Sequence, residues 1–520
     1  SSQPAMNQVN VAAASLEEAF RFYSGGNEVL GVPSDVPVAP ALRCTMLLTS
    51  LFFSVFLAVI TLRLSRFISD VKEAGSSSIE ARLVKATDAL SLVPVMAILM
   101  IATRLRAIQF AGDALGAPPL WAQLCMYGAT LACFIRFFAD VSGVQRGSSE
   151  AQDSTSWTII GARHTATLAL FKCCALIILS IATIQGGAND MGPALLCTLA
   201  LVVTYLVETA VREATGTTRK NRKLEDATYG AISPMSASDL DEDTLALPTR
   251  LSLQFPPMLC VLLVAIALRA VQLQLATRPW AAGAMYLTTA ATILQAARST
   301  AAAWRGEEAQ KSSFLGDEAA GPALSPVINR STLDTFWAAT TCCIYVGTVA
   351  ILLSVAAMES KGEVSTSSPP LSTAMQCVMG LTVVYYGAYL MLMLGNFLRP
   401  LLGPWAVLSA GALQRALAFA PMLCVMMIGV RLRAMQIGVR DPPYWARCSM
   451  VVATSAVVMQ VGCSLVAESE MMAETLVGQD IATKVAVLFL LASRYVASAV
   501  LFLSVAALMV SLAWMQPVLA

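Results

Sequence analysis

The chain has 520 residues, of which 57% are hydrophobic and 13% charged, with 34 Lys and Arg against 33 Asp and Glu. Charged residues are about half as frequent as in soluble domains, so the chain lacks the polar coat that an ordinary soluble enzyme of this size needs. The near-neutral balance excludes a nucleic-acid binder, which carries a clustered basic excess, and the apolar share excludes a disordered chain.

Residues 1–39 are mixed and polar, with Gly25-Gly26 and prolines at 33 and 37. They read as an N-terminal extramembrane segment with a short amphipathic helix over 13–23. Twelve apolar runs follow, at 41–62, 88–111, 119–139, 164–185, 192–212, 252–276, 280–303, 334–357, 373–397, 416–438, 445–466 and 484–512. Each has about the 20 residues that a helix needs to cross the hydrocarbon core. The expected fold is an all-α polytopic integral membrane protein of about 12 transmembrane helices.

The runs are not independent. The second, sixth and tenth each place a proline 12 residues before an arginine: Pro94 and Arg106, Pro257 and Arg269, Pro421 and Arg433. Each continues Leu-Arg-Ala-x-Gln, ending at Gln109, Gln272 and Gln436. The following runs open on Trp121, Trp280 and Trp445, each with Met five residues later and a long polar side chain fifteen residues later: Arg136, Gln295 and Gln460. The first run of each set carries Cys44, Cys197 or Cys377, and the fourth a Leu-Ser pair at Ser180, Ser354 or Ser504. Recurrence at a fixed period signals tandem units. Three four-helix repeats are therefore expected at 40–190, 191–365 and 366–520. An even number of spans makes the units parallel, related by an axis along the membrane normal. A pseudo-threefold ring is one arrangement, and a row of three is the other.

The loops agree with this plan. Connections within the second–third pairs are tight and contain Pro118-Pro119, Pro279 or Pro442-Pro443, whereas the opposite face carries long polar stretches such as 213–249. Lys and Arg are more numerous on that long-loop face, so the positive-inside rule puts it in the cytoplasm and both termini on the other side. Trp121, Trp280 and Trp445 then serve as interface anchors.

Two polar layers are the candidate sites. Arg106, Gln109, Arg269, Gln272, Arg433 and Gln436 put Arg and Gln on one helix face. An arginine inside a span costs about 2.5–3.5 kcal/mol on insertion scales. Such a group pairs, faces a cavity, or snorkels to lipid phosphate. Three converging faces would suit anion passage; alternatively, they anchor helices. The second layer, Arg136, Gln295 and Gln460, reads as interhelical hydrogen bonding. Pro94, Pro257 and Pro421 kink the second helices or open their first turns.

Thirteen cysteines lie almost wholly within apolar runs, as small packing residues, and His164 is the lone histidine. No metal or cofactor is expected, no Walker A loop or HExxH is present, and an enzyme is the weakest class. Two functions stand: a passive channel or transporter for anions or small solutes, or a structural membrane protein that forms arrays or belongs to a larger complex. Membrane lipids are the expected partners, with self-association or other membrane proteins beside them, and no nucleic acid.

Overall fold

The computed structural model describes residues 38–69, 90–111, 118–143, 153–183, 192–228, 255–273, 277–314, 330–360, 371–402, 413, 416–437, 439, 441–474 and 481–515. The expected 13–23 helix and most of the long polar loops lie outside these. All regular structure among the described residues is helical. The helices are α1 Pro40–Ser69, α2 Val93–Ala111, α3 Leu120–Gly143, α4 Asp153–Thr183, α5 Pro193–Thr228, α6 Phe255–Leu273, α7 Pro279–Phe314, α8 Arg330–Ser360, α9 Thr373–Leu402, α10 Phe419–Gln436, α11 Tyr444–Glu474 and α12 Ile481–Trp514.

Ten of them are long and apolar enough to cross a membrane. The two that fall short are α7 and α8. Helix α7 has the length, but Thr288, Thr289, Thr292, Gln295 and Arg298 dilute its apolar run. The described apolar stretch of α8 is Ala339–Val355. Helices also overrun the apolar runs on the long-loop side. The basic stretch Arg219–Lys223, expected in a loop, continues α5.

The helices form three layers. At the centre, α2, α6 and α10 each touch the other two. Their sequences are apolar all round, the pattern of a helix enclosed by others, and 94% of the apolar segments of α2 and α10 is buried. Around them lie α1, α5 and α9. Helix α1 packs on α2 and α10, α5 on α6 and α2, and α9 on α10 and α6. The outer layer pairs α3 with α4, α7 with α8 and α11 with α12, and only 33% of the α4 segment is buried. Leu120, Leu124, Leu131 and Phe138 of α3 are exposed at spacings of four and seven residues, as a lipid-facing stripe requires.

Lipid tails are as apolar as the side chains, so packing and interhelical hydrogen bonds hold such a bundle. Small residues bring the outer pairs close. A Cβ added at Gly128 would lie 3.2 Å from Cys173 Sγ, and one at Gly347 would overlap the Thr288 hydroxyl. Cys44, Cys197 and Cys377 sit against Thr130, Thr289 and Thr454, joining α1 to α3, α5 to α7 and α9 to α11. The outer helices bury matching sets: Leu170, Cys174, Ile177 and Ile181; Ile344, Thr348, Ile351 and Val355; Leu501, Val505, Leu508 and Leu512. Ser180, Ser354 and Ser511 each donate to the carbonyl three residues earlier. Ser511, which makes this bond in α12, stands two turns beyond Ser504.

Two aromatic clusters occupy the ends of the central helices away from the arginines. Phe419 of α10 stacks on Phe53 at 5.7 Å and meets Phe56 at 4.9 Å and Phe502 at 6.1 Å. Phe255 of α6 stacks on Tyr386 at 5.7 Å and meets Tyr389 at 5.6 Å and Tyr345 at 6.2 Å. Where α5 meets α2 the corresponding residue is Leu92, fully buried, and the Tyr205 hydroxyl donates to the Ser91 carbonyl at 2.9 Å.

Candidate functional site

The central helices begin at their prolines. Pro94 is the second residue of α2, and Pro257 and Pro421 are third in α6 and α10. The first turn has no intrahelical partners for its N–H groups, so proline costs nothing there. Interior kinks at Pro94, Pro257 and Pro421 are therefore corrected to helix starts. A 3-10 turn, Leu90–Leu92, precedes Pro94, and Ala418 turns just before α10. Missing donors at these prolines are what stop the preceding turns from merging with the helices.

Twelve residues on, about 18 Å along the axis, the three central helices carry the arginine layer. Arg106, Arg269 and Arg433 are 4%, 2% and 1% exposed, and Arg104 and Arg431 are buried beside them. These side chains face the protein interior rather than lipid. Snorkelling outward, one of the expected readings, does not describe their positions. Arg433 Nη2 donates to the Met515 carbonyl at 3.4 Å, which ties α10 to the end of α12. Arg269 Nη1 donates to Gln272 Oε1 at 3.5 Å, the expected same-face pair. Gln272 Nε2 in turn donates to Met435 Sδ at 3.3 Å, a link from α6 to α10. Gln436 is buried, whereas Gln109 and Gln272 are half-buried.

The second polar layer lies in the outer pairs. Gln295 Nε2 donates to Thr341 Oγ1 at 2.7 Å, joining α7 to α8. Gln460 Nε2 donates to Ser498 Oγ at 2.9 Å, joining α11 to α12. Arg136 is buried at the same level of α3, and one turn on Arg163 of α4 pairs with Asp140 at 3.1 Å. Replacing Gln295 or Gln460 by Leu is expected to weaken its helix pair by about 1 kcal/mol, because each loses one interhelical bond within the membrane. Denaturation of each variant in mixed micelles checks this; stability equal to wild type would contradict the bonding role.

Trp121, Trp280 and Trp445 stand in the first two residues of α3, α7 and α11 and are 40%, 45% and 41% exposed. Prolines set these starts: the Pro119 carbonyl accepts from Ala122 and Gln123, and Pro443 from Arg447. His164 is exposed on α4. Among the described residues no group of three His, Cys, Asp or Glu is placed to hold a metal ion.

Sequence reading missed the aromatic clusters and Ser511; Glu208, which the sequence puts near a helix end, is buried on α5. Phe255 and Phe419 are recoverable signals, since each stands two residues before its repeated proline. The chain matches no protein-family model and no curated protein.

Proposed function

We propose that this multi-pass membrane protein is a structural scaffold, built from three four-helix units at 40–190, 191–365 and 366–520 around a pseudo-threefold axis that is closed to solutes. The observation that carries this reading is the mutual contact of α2, α6 and α10. Between the aromatic ends and the arginine layer their facing side chains are apolar: Met96 to Ala102, Met258 to Leu268 and Met422 to Ile428 are buried without exception. An ion crossing along that axis would lose its hydration with nothing to replace it.

Several features support the threefold reading over a row. Helix α1 touches α10 in the way that α5 touches α2 and α9 touches α6, so the first unit meets the third as the others meet in sequence. The three Cys–Thr contacts and the three buried sets of the fourth helices follow the same plan. In this reading α7 and α8 also span the bilayer, which makes twelve spans, with the long polar loops cytoplasmic and the termini opposite. Wide lipid-facing surfaces suit an array former or a membrane subunit of a larger complex.

The buried arginine layer favours a second reading, an anion pathway off the axis. Reconstitution into vesicles with an anion-sensitive dye decides between them. The scaffold should give no halide flux above protein-free vesicles, and Arg106→Gln, Arg269→Gln and Arg433→Gln together should leave that unchanged while lowering stability. Protein-dependent flux that falls in the triple variant would overturn the scaffold.

A further inference from the structure

Lys172 of α4 is exposed on the outside of the bundle, at the middle of a span. It lies eleven residues from either end of the apolar segment Gly161–Thr183, about 16 Å along the axis. Comparison of the outer helices gives the same level and direction. Each buries a matching set that begins at Leu170, Ile344 or Leu501, and two residues beyond these stand Lys172, Val346 and Leu503. Val346 and Leu503 are 61% and 72% exposed, as lipid-facing side chains are. Leu503 stands eleven residues before Trp514, which is 62% exposed, and exposed tryptophan at a helix end marks the headgroup level. Helix α4 therefore puts an ammonium where α8 and α12 put hydrocarbon.

A lysine near a helix end reaches the interface along its four-carbon stem, but half a bilayer is too thick for that. Charged side chains at this depth face a bundle interior or pair with another polar group. Among the described residues no acidic side chain pairs with Lys172. Its surroundings are small and apolar. Ala169 and Ala175, three residues to either side, are exposed, as are Leu168 at 61% and Leu176 at 42%. Small residues let a second helix approach closely. A second copy of the chain does not balance the charge from its described residues. Asp140, Glu208 and Asp441 are the acidic residues whose side chains are described, and none of them is exposed. Two copies of Lys172 facing each other would repel.

We propose that the outward face of α4 around Lys172 is the docking site for one transmembrane helix of a different protein, which carries an Asp or Glu carboxylate near its middle. The proposal rests on the membrane-subunit form of the scaffold reading and names the chemistry of the partner. Halide flux tests the scaffold and helix association tests this face, so each fails without the other.

The test is energy transfer between the labelled full chain and a labelled synthetic helix in phosphatidylcholine vesicles. The helix alternates Leu and Ala, with Lys at both ends and one central Glu; its control has a central Leu. The Glu helix should half-saturate at a mole fraction about three- to fifteen-fold lower than the control, the range for one interhelical polar pair. Lys172→Leu, which copies the residue of α12, should bind the two helices alike and keep its helix content. In membranes where the protein is made, dicyclohexylcarbodiimide should activate the partner's carboxyl and leave as its urea while the Lys172 amine forms an amide. Mass spectrometry should then find a branched peptide that joins Lys172 to an Asp or Glu within an apolar segment of another protein. Equal binding of the two helices by the wild-type chain, a preference that survives Lys172→Leu, or no amide at Lys172 would overturn the proposal. Loss of the preference on adding phosphatidylglycerol would overturn it in favour of a lipid headgroup. An amide to a peptide of this same chain would overturn it in favour of a second copy.

Discussion

Phe419→Ala is expected to be among the most damaging single substitutions in the bundle, lowering stability by about 3–5 kcal/mol. The ring is 4% exposed and touches Phe52, Phe53, Phe56 and Phe502, so one residue joins α10 to α1 and α12. In the unfolded protein within a bilayer, the ring would still lie in hydrocarbon. The loss is therefore mainly of packing and of edge-to-face geometry rather than of transfer from water. Alanine leaves a cavity that four flanking rings cannot fill. Phe255→Ala should behave similarly through Tyr345, Tyr386 and Tyr389. Leu92→Ala, at the aliphatic junction, should cost less, about 2–3 kcal/mol. Unfolding by sodium dodecyl sulfate in mixed micelles measures all three. If Phe419→Ala proves no worse than Leu92→Ala, the cluster does not fasten that junction.

The helices and the central motif were legible because their signals are dense. Apolar runs of bilayer length are hard to mistake, and a proline, an arginine and a glutamine at fixed spacing single out α2, α6 and α10, the three helices in mutual contact. The layer order follows from the same strings: helices without a polar face belong in the middle. Other features were not legible, for physical reasons. A leucine-serine-valine-alanine-alanine string at 353–357 recurs at 503–507, which points to Ser504. The apolar face of a helix recurs every seven residues, so a slip of two turns leaves that face intact. Only the burial pattern and the serine bond distinguish Ser511. Hydropathy likewise undervalues α7, where Thr288 and Thr292 return their hydroxyls to carbonyls of their own helix at 2.7 and 2.8 Å. A threonine satisfied in this way is far less polar to its surroundings than its sequence symbol implies. The orientation of the arginines was beyond reach too. Sequence gives their depth, but whether a side chain at that depth turns inward depends on which helices enclose it.

The α7–α8 contact gives the sharpest steric test. Gly347 of α8 lies so close to Thr288 that an added Cβ would overlap the hydroxyl and stand 3.0 Å from the threonine Cβ. Thr288 cannot simply turn away, because its hydroxyl is bonded to the Ala284 carbonyl within the same helix turn. Gly347→Ala must therefore push the helices apart or break that bond, at a cost of about 1–3 kcal/mol, the range for overpacking. Separation would also stretch the Gln295–Thr341 bond, two turns away in the same seam. Gly283→Ala is the control, since nothing lies within 4 Å of an added Cβ there. It should be neutral or slightly stabilising, because alanine has less backbone freedom to lose. Thr288→Ala in the Gly347→Ala background should recover part of the loss, with a coupling of about 1 kcal/mol between contacting positions. Gly347→Leu should go further and leave too little room for any relaxed pairing of the two helices. Equal stability of Gly347→Ala and Gly283→Ala in mixed micelles would mean that α7 and α8 do not pack through this glycine.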